Sequence, residues 1–387
     1  MRLLVYEDSV YFRDGSGDVY TDRAFLLFAS GLHSRVDELT MMGRLSPSAQ
    51  ASQYRLPGAV RFVALPYYSS AAGWRILVTL GSSVRTAWGA LGGVDVAWLM
   101  GPHPVALMVA VLAVLRRRRI VLGVRQDLPA YARHRHPGRR WTHGAADVLE
   151  AVWRTIGRHC AVVTVGPQLA AAYRSSKAVM ELVISLVPAA EVGVAARRDE
   201  DGPLQVLSVG RLDAEKNPLL LADILAELCR DEPRWRLVIC GDGPLREALA
   251  DRLRALGVED NATIRGYVPV DGGLPEIYRS SHALLHVSWT EGVPQTLLEA
   301  WAYGTPVVAT SVGGVTDFAR GAALLIPPGD AHAAAAALRR LADDDDVRER
   351  AVAAGRHRMA DRTMEATLDR LASFLTKPSP VATFRTR

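Results

Sequence analysis

The stretch "HVSWTEGVPQTLLEAWAYGTPVVATSVGG", residues 286–314, sets two glutamates, Glu291 and Glu299, eight positions apart across the start of a helix. Pro294 suits the first helical position because its φ is fixed and it has no N–H to leave unpaired. Gly304 and Pro306 stop the helix near Tyr303, and 306–310 follows as a strand. Glu291 then lies in the loop, while Glu299 sits about five residues in, roughly 7–8 Å along the axis at the helical rise. Between them the first-turn amides of Gln295, Thr296 and Leu297 lack intrahelical partners at the positive end of the helix dipole, where a phosphate is favoured. Hydroxyls, phosphate, hydroxyls is the outline of a nucleotide sugar. The alternative is an ordinary strand–helix unit with solvated glutamates.

Other residues of this half fit the same chemistry. "VGRLDAEKN" at 209–217 presents Arg211 and Lys216 at a strand's carboxyl end, two cations suited to a diphosphate leaving group. An ion pair with Asp213 and Glu215 is the competing reading. "CGDGPLREAL" at 240–249 is a strand, a glycine turn and a helix, in which Gly241 and Gly243 allow close backbone approach. It lacks the third glycine of a dinucleotide fingerprint, which argues against an oxidoreductase. In the first half, Arg125 and Asp127 of "GVRQDLP" end a strand and are candidate acceptor contacts.

Such groups need a parallel sheet to hold them at strand ends, and apolar runs alternate with helical patterns throughout. Strands are expected at 2–6, 60–65, 95–99, 120–124 and 161–165, and again from 203, at 235–240, 263–266, 282–287 and 307–309. Two doubly wound domains follow, at 1–190 and 203–360, joined near 187–202. A helix at 361–376 is expected to pack back on the first domain, and 377–387 to be a tail. The chain of 387 residues is too long for one ordinary core.

Three cysteines, Cys160, Cys229 and Cys240, lie far apart, which argues against a disulfide framework and fits a reducing compartment. "MRLLVY" runs into Glu7 and Asp8, unlike a signal peptide. The apolar run 105–115 is too short to span a bilayer and reads as a buried helix ending in "RRRR". Residues 1–186 carry 22 Lys+Arg against 12 Asp+Glu. The stretch "RHRHPGRRW" at 133–141 could face an anionic membrane surface, a nucleic acid or an anionic acceptor, or be a solvated loop. The acidic runs "DED" at 199–201 and "DDDD" at 343–346 read as solvated charge rather than metal ligands, the second opening a helix.

Taken in order, "GRLDAEKN", "GDGP", "RGYVP", "EGVPQTLLEA" and "GTPVVATSVGG" resemble the carboxyl-terminal half of the retaining glycosyltransferases of family 4, with their Glu-x7-Glu motif. The resemblance is close over 203–330 and extends to the first half only in layout. It implies the GT-B fold, two Rossmann-like doubly wound parallel-sheet domains facing across a cleft. Carried over by position, Arg211 and Lys216 would bind the donor diphosphate and Glu299 the ribose hydroxyls. Glu291 with Gly292 and Val293 would hold the transferred sugar, and Gly241 would lie at the donor. Backbone at Tyr267 and Val268 would meet the base, and the amides of Thr296 and Leu297 the distal phosphate. Asp317 replaces the usual Glu after the double glycine. The Gly-Gly turn of the first domain has its candidate in Gly15 and Gly17 of "RDGSGD", and the histidine beside the sugar in His103, which could equally be structural at a helix start.

The implied reaction is transfer of a sugar, from a UDP-sugar first of all, to an acceptor hydroxyl by front-face attack, the leaving phosphate taking the proton. No second carboxylate for a covalent route is evident in the first half. No metal and no cofactor are expected. The expected partners are the nucleotide sugar and an acceptor glycan, lipid or small molecule, not a nucleic acid. A cytoplasmic location is expected, and peripheral association through the basic first domain, at the inner face of the membrane, is consistent with its charge. The competing readings are a nucleotide-sugar-binding scaffold that has lost chemistry and a GT-B epimerase. A phosphorylase is disfavoured because none of the three lysines suits a Schiff base.

Overall fold

A computed structural model describes residues 1–68, 75–135, 138–193 and 202–377. The "DED" run and most of the tail lie outside the described residues. The chain forms two units, Met1–Ile184 with Leu368–Arg387, and Ser185–Thr367. The division falls between Ile184 and Ser185, ahead of the polar connector, because Glu191 pairs with Arg279 and the Gly193 amide donates to Ala302 within the second unit.

The first unit holds β1 (Arg2–Arg13), β2 (Val19–Thr21), β3 (Glu38–Ala49), β4 (Tyr54–Arg55), β5 (Arg61–Leu65), β6 (Val96–Gly101), β7 (Arg119–Val124), β8 (Ala161–Val165) and β9 (Ala178–Leu182). Its parallel body runs β5-β3-β1-β6-β7-β8-β9. β2 and β4 add an antiparallel flap to the far end of β1.

Three expectations change here. β1 does not stop at Tyr6 but runs on to Arg13, because β3 and β2 pair its second half. β3, "ELTMMGRLSPSA", has few β-branched residues and was not legible as a strand, yet its first residues are buried against β1. The helix Pro104–Leu115 is largely buried, as expected, with Val105, Ala106, Val109, Ala110, Leu112 and Ala113 in the core, but Val111 and Leu115 depart from that pattern at 56% and 65% exposed. It lies on the outside of the sheet, so its second face meets solvent.

The second unit adds β10 (Leu204–Val209), β11 (Trp235–Cys240), β12 (Ala262–Gly266), β13 (Ala283–His286), β14 (Val307–Thr310) and β15 (Leu324–Ile326). They form one parallel sheet in the order β12-β11-β10-β13-β14-β15. Val206, Leu237, Leu285 and Val308 project into a core with Leu221 and Leu225 of the helix Leu219–Asp231. Strand order reverses between β10 and β13, so the loops leaving these two strands part and open a crevice at their carboxyl ends. The acidic run 343–346 does open a helix: Asp344 caps Asp345–Met359 by accepting from the Val347 amide at 3.0 Å.

Candidate functional site

The crevice between β10 and β13 is a pocket of about 240 Å³ lined by both loops and by the start of the helix Gln295–Ala302. Arg211 and Lys216 come from the loop after β10, and His286, Ser288 and Glu291 from the end of β13 and beyond. The two loops are tied together, since the Trp289 amide donates to the Glu215 carbonyl at 2.9 Å. The loop after β14 supports the same segment: Thr310 Oγ1 donates to the Ser288 carbonyl at 2.8 Å and the Gly314 amide to the Glu291 carbonyl at 3.1 Å. This is the physical reason for the double glycine. A Cβ on Gly313 or Gly314 would stand 2.2 Å from the Glu291 or Gly292 carbonyl oxygen, and Gly313 has φ of +47°.

Glu291 is held through one oxygen. Its Oε1 receives the Lys216 ammonium, Ser288 Oγ at 2.8 Å and His286 Nε2 at 3.0 Å. Among the described residues no hydrogen bond is made to Oε2, which is left to accept from a ligand. Burial alone would push the Glu291 carboxyl up, but the His286 hydrogen bond and the Lys216 charge outweigh it and hold the group down at about 2. His286 is 7% exposed and its Nδ1 has no partner. Neither His286 nor Ser288 was singled out from sequence. Their two-residue spacing at a strand end, which puts both side chains on one face, was the available signal.

Arg211 pairs with Asp213 and Glu215, as the ion-pair reading has it. Pro294 is the N-cap, in extended conformation, rather than the first helical residue, and the helix ends at Ala302. The Leu297 amide reaches back to the Pro294 carbonyl at 3.3 Å, so of the three first-turn amides it is not free. Gln295 Nε2 and Thr296 Oγ1 are buried in the pocket wall with no partner. Val293 lines the pocket, and Gly292 is exposed beside it.

Glu299 does not share this pocket. It is buried beside a separate small cavity with Leu186, Leu274 and Tyr303, and Tyr278 Oη donates to its Oε2 at 2.8 Å. Burial pushes its carboxyl up to about 7, against the Tyr278 hydrogen bond. The two glutamates therefore do not grip from one cavity in this state, because the helix turns Glu299 away from its first turn. Gly241 packs backbone on backbone, where a Cβ would stand 1.8 Å from the Gly210 carbonyl oxygen, and it does not line the pocket. Tyr267 and Val268 follow β12, and Tyr267 is half exposed.

In the first unit His103 caps the helix Pro104–Leu115, its Nδ1 lying 3.3 Å from the Val105 amide and 3.1 Å from Tyr6 Oη. Its Nε2 stands 3.2 Å from Asp8 Oδ2, and the Tyr68 ring stacks on it. Asp8 is bound in turn by Arg44 and Tyr68. Burial pushes the His103 imidazole down, against the charge of Asp8. Arg125 pairs with the buried Glu7 at 2.6 Å and lies over the Phe25 ring. Asp127 is a capping residue, accepting from the Ala130 amide at 2.9 Å. Gly15 and Gly17 lie in the hairpin between β1 and β2, where Asp14 accepts the Ser16 and Asp18 amides. They form no strand-to-helix turn, because β1 runs past the place where such a turn would stand.

Residues 195–358 match the family model described as Glycosyl transferases group 1. Mannosylfructose-phosphate synthase of Agrobacterium fabrum is 36% identical over 118 residues, 28% of this chain and 26% of that protein. The curated relatives are matched over about a quarter to a third of their own length. Sucrose-phosphate synthase from Thermosynechococcus elongatus superposes over 97% of this chain and 98% of its own, with a TM-score of 0.70 and 19% identity. Anabaena HepE in complex with UDP-glucose superposes over 98% of this chain and 100% of its own, with a TM-score of 0.68 and 15% identity. The chain has the GT-B fold, and its second unit carries the segment that matches the group 1 glycosyl transferases.

Proposed function

We propose that the protein is a retaining glycosyltransferase of the family 4 type, moving a sugar from a nucleotide donor to an acceptor hydroxyl. The observation that carries this reading is the Glu291–Lys216 pair at the switch point of the second sheet. An arriving diphosphate takes Lys216 and Arg211 as counter-ions, and Glu291 keeps His286 and Ser288 while its free oxygen accepts a sugar hydroxyl. Gln295 and Thr296 offer the unpaired donors that a distal phosphate would meet. Two cations at the leaving group do the electrostatic work that a metal would otherwise supply, so transfer is proposed to need none.

Front-face attack needs positioning more than a base. His103 fits that route, since both of its nitrogens are already engaged. UDP is the first donor to try, because HepE binds UDP-glucose on the same fold. Release of nucleoside diphosphate from a panel of UDP-, GDP-, ADP- and dTDP-sugars, followed by the anomeric configuration of the product, tests the reading. Turnover of one donor with retained configuration is expected. Donor binding without any turnover or hydrolysis would favour a nucleotide-sugar-binding scaffold.

A further inference from the structure

The helix Pro104–Leu115, "PVALMVAVLAVL", has no polar side chain in its length. A helix apolar all round belongs in a core or against lipid. Here most of it is in the core, but Val111 and Leu115, one turn apart, are 56% and 65% exposed. The neighbouring helix Arg75–Gly92 adds Val84 and Trp88, both exposed to about 40%. On the helix Arg140–Gly157, Trp141, Val148 and Val152 are exposed along one line, spaced close to whole helical turns. Crossovers from β6 to β7 and from β7 to β8 step in one direction, which puts their helices on one face of the sheet. The core cluster that Ala87, Val109, Ala113 and Trp153 share agrees. Two packed helices and a third on the same face of the sheet therefore each present apolar residues outward.

Charge selects the occupant. Residues 75–119 and 140–157 together carry eight arginines against three acidic residues, and each acid is already paired: Asp95 with Arg2, Asp147 with Arg133 and Glu150 with Arg154. Arg116 lies over the Trp88 ring at 4.1 Å, at the edge of the apolar face, and Arg117 next to it is exposed. A second copy of this chain docked symmetrically would bring arginine against arginine. A nucleic acid would need bases or backbone to lie on Val111 and Leu115. An anionic bilayer surface satisfies both features, taking the aliphatic side chains at the acyl boundary and the arginines at the phosphates.

We propose that the outer faces of these three helices, centred on Val111 and Leu115, dock the protein on an anionic membrane surface. The inference stands whether or not the chain transfers sugar. The test is sedimentation of the full chain with vesicles of phosphatidylcholine alone and with phosphatidylglycerol added. Parent and the Val111→Ser/Leu115→Ser double variant are compared, and Arg117→Gln is a second, charge-only variant. Both substituted sites are exposed, so unchanged circular dichroism and thermal unfolding are expected of the variants.

The parent should bind only the phosphatidylglycerol vesicles, and less at high salt. The double variant should lose roughly tenfold or more in affinity, and Arg117→Gln should lose less, with a shallower salt dependence. Absence of binding to the anionic vesicles would overturn the proposal, as would a double variant that binds like the parent. It would equally be overturned by a concentration-dependent dimer of the parent that the double variant abolishes, which would make a second copy the occupant.

Discussion

Glu291 and Glu299 carry the same functional group shifted in opposite directions, and the difference is a matter of partners. Glu291 has three donors on one oxygen and is held at about 2, whereas Glu299 has one phenol and is pushed up to about 7. The signs for stability follow. Glu291 is depressed, so its contribution is present above the ordinary 4.5 and is lost as pH falls toward 2. Glu299 is raised, so the fold keeps a proton that the unfolded chain releases, and its contribution declines as pH rises from 4.5 to 7. Thermal unfolding across that window should show Glu299→Gln with a flatter pH dependence than the parent, and an unchanged slope would contradict the assignment. His286→Ala should raise the donor KM about tenfold, and His286→Gln, which can still donate to Glu291, should recover part of it in steady-state kinetics. Glu291, Lys216 and Arg211 were legible because each sits in a short motif at a strand end. The His286–Glu291 contact was not, since nothing in a five-residue interval says that a loop folds back.

Elements decide where those side chains point. The second sheet was readable almost strand by strand, because "LQVLSV", "WRLVIC" and "PVVAT" are dense in apolar and β-branched residues. β3 was missed for the opposite reason: its strand character comes from pairing with β1, a tertiary effect. The same pairing carries β1 past Tyr6 to Arg13, so Glu7 and Asp8 lie within the strand and meet Arg125 and Arg44. The His103 network draws on β1, β3 and the segment after β5, contacts too distant in sequence to be inferred from it. The loop after β14 supports the prediction for this scale. Gly314→Ala must push the Glu291–Gly292 backbone away, costing about 1–3 kcal/mol and at least as much donor affinity as His286→Ala. Denaturant unfolding and nucleotide titration check it, and a variant with parental stability and affinity would show that the loop yields freely.

At the scale of the molecule, two units with separate cores hold the candidate donor pocket in one of them and the exposed apolar helices in the other. Hydrogen exchange with UDP should therefore slow in 208–217 and 286–297 and leave 104–119 unchanged. Protection confined to the first unit would move the donor site there. The most direct test of the central claim is calorimetric titration of UDP into the parent and into Lys216→Ala, each with and without chelator. The account predicts binding that chelator does not alter and that falls about tenfold or more when Lys216 is removed, since a charge-assisted phosphate contact is lost. Equal affinity of parent and variant, or binding that vanishes with chelator, would contradict it.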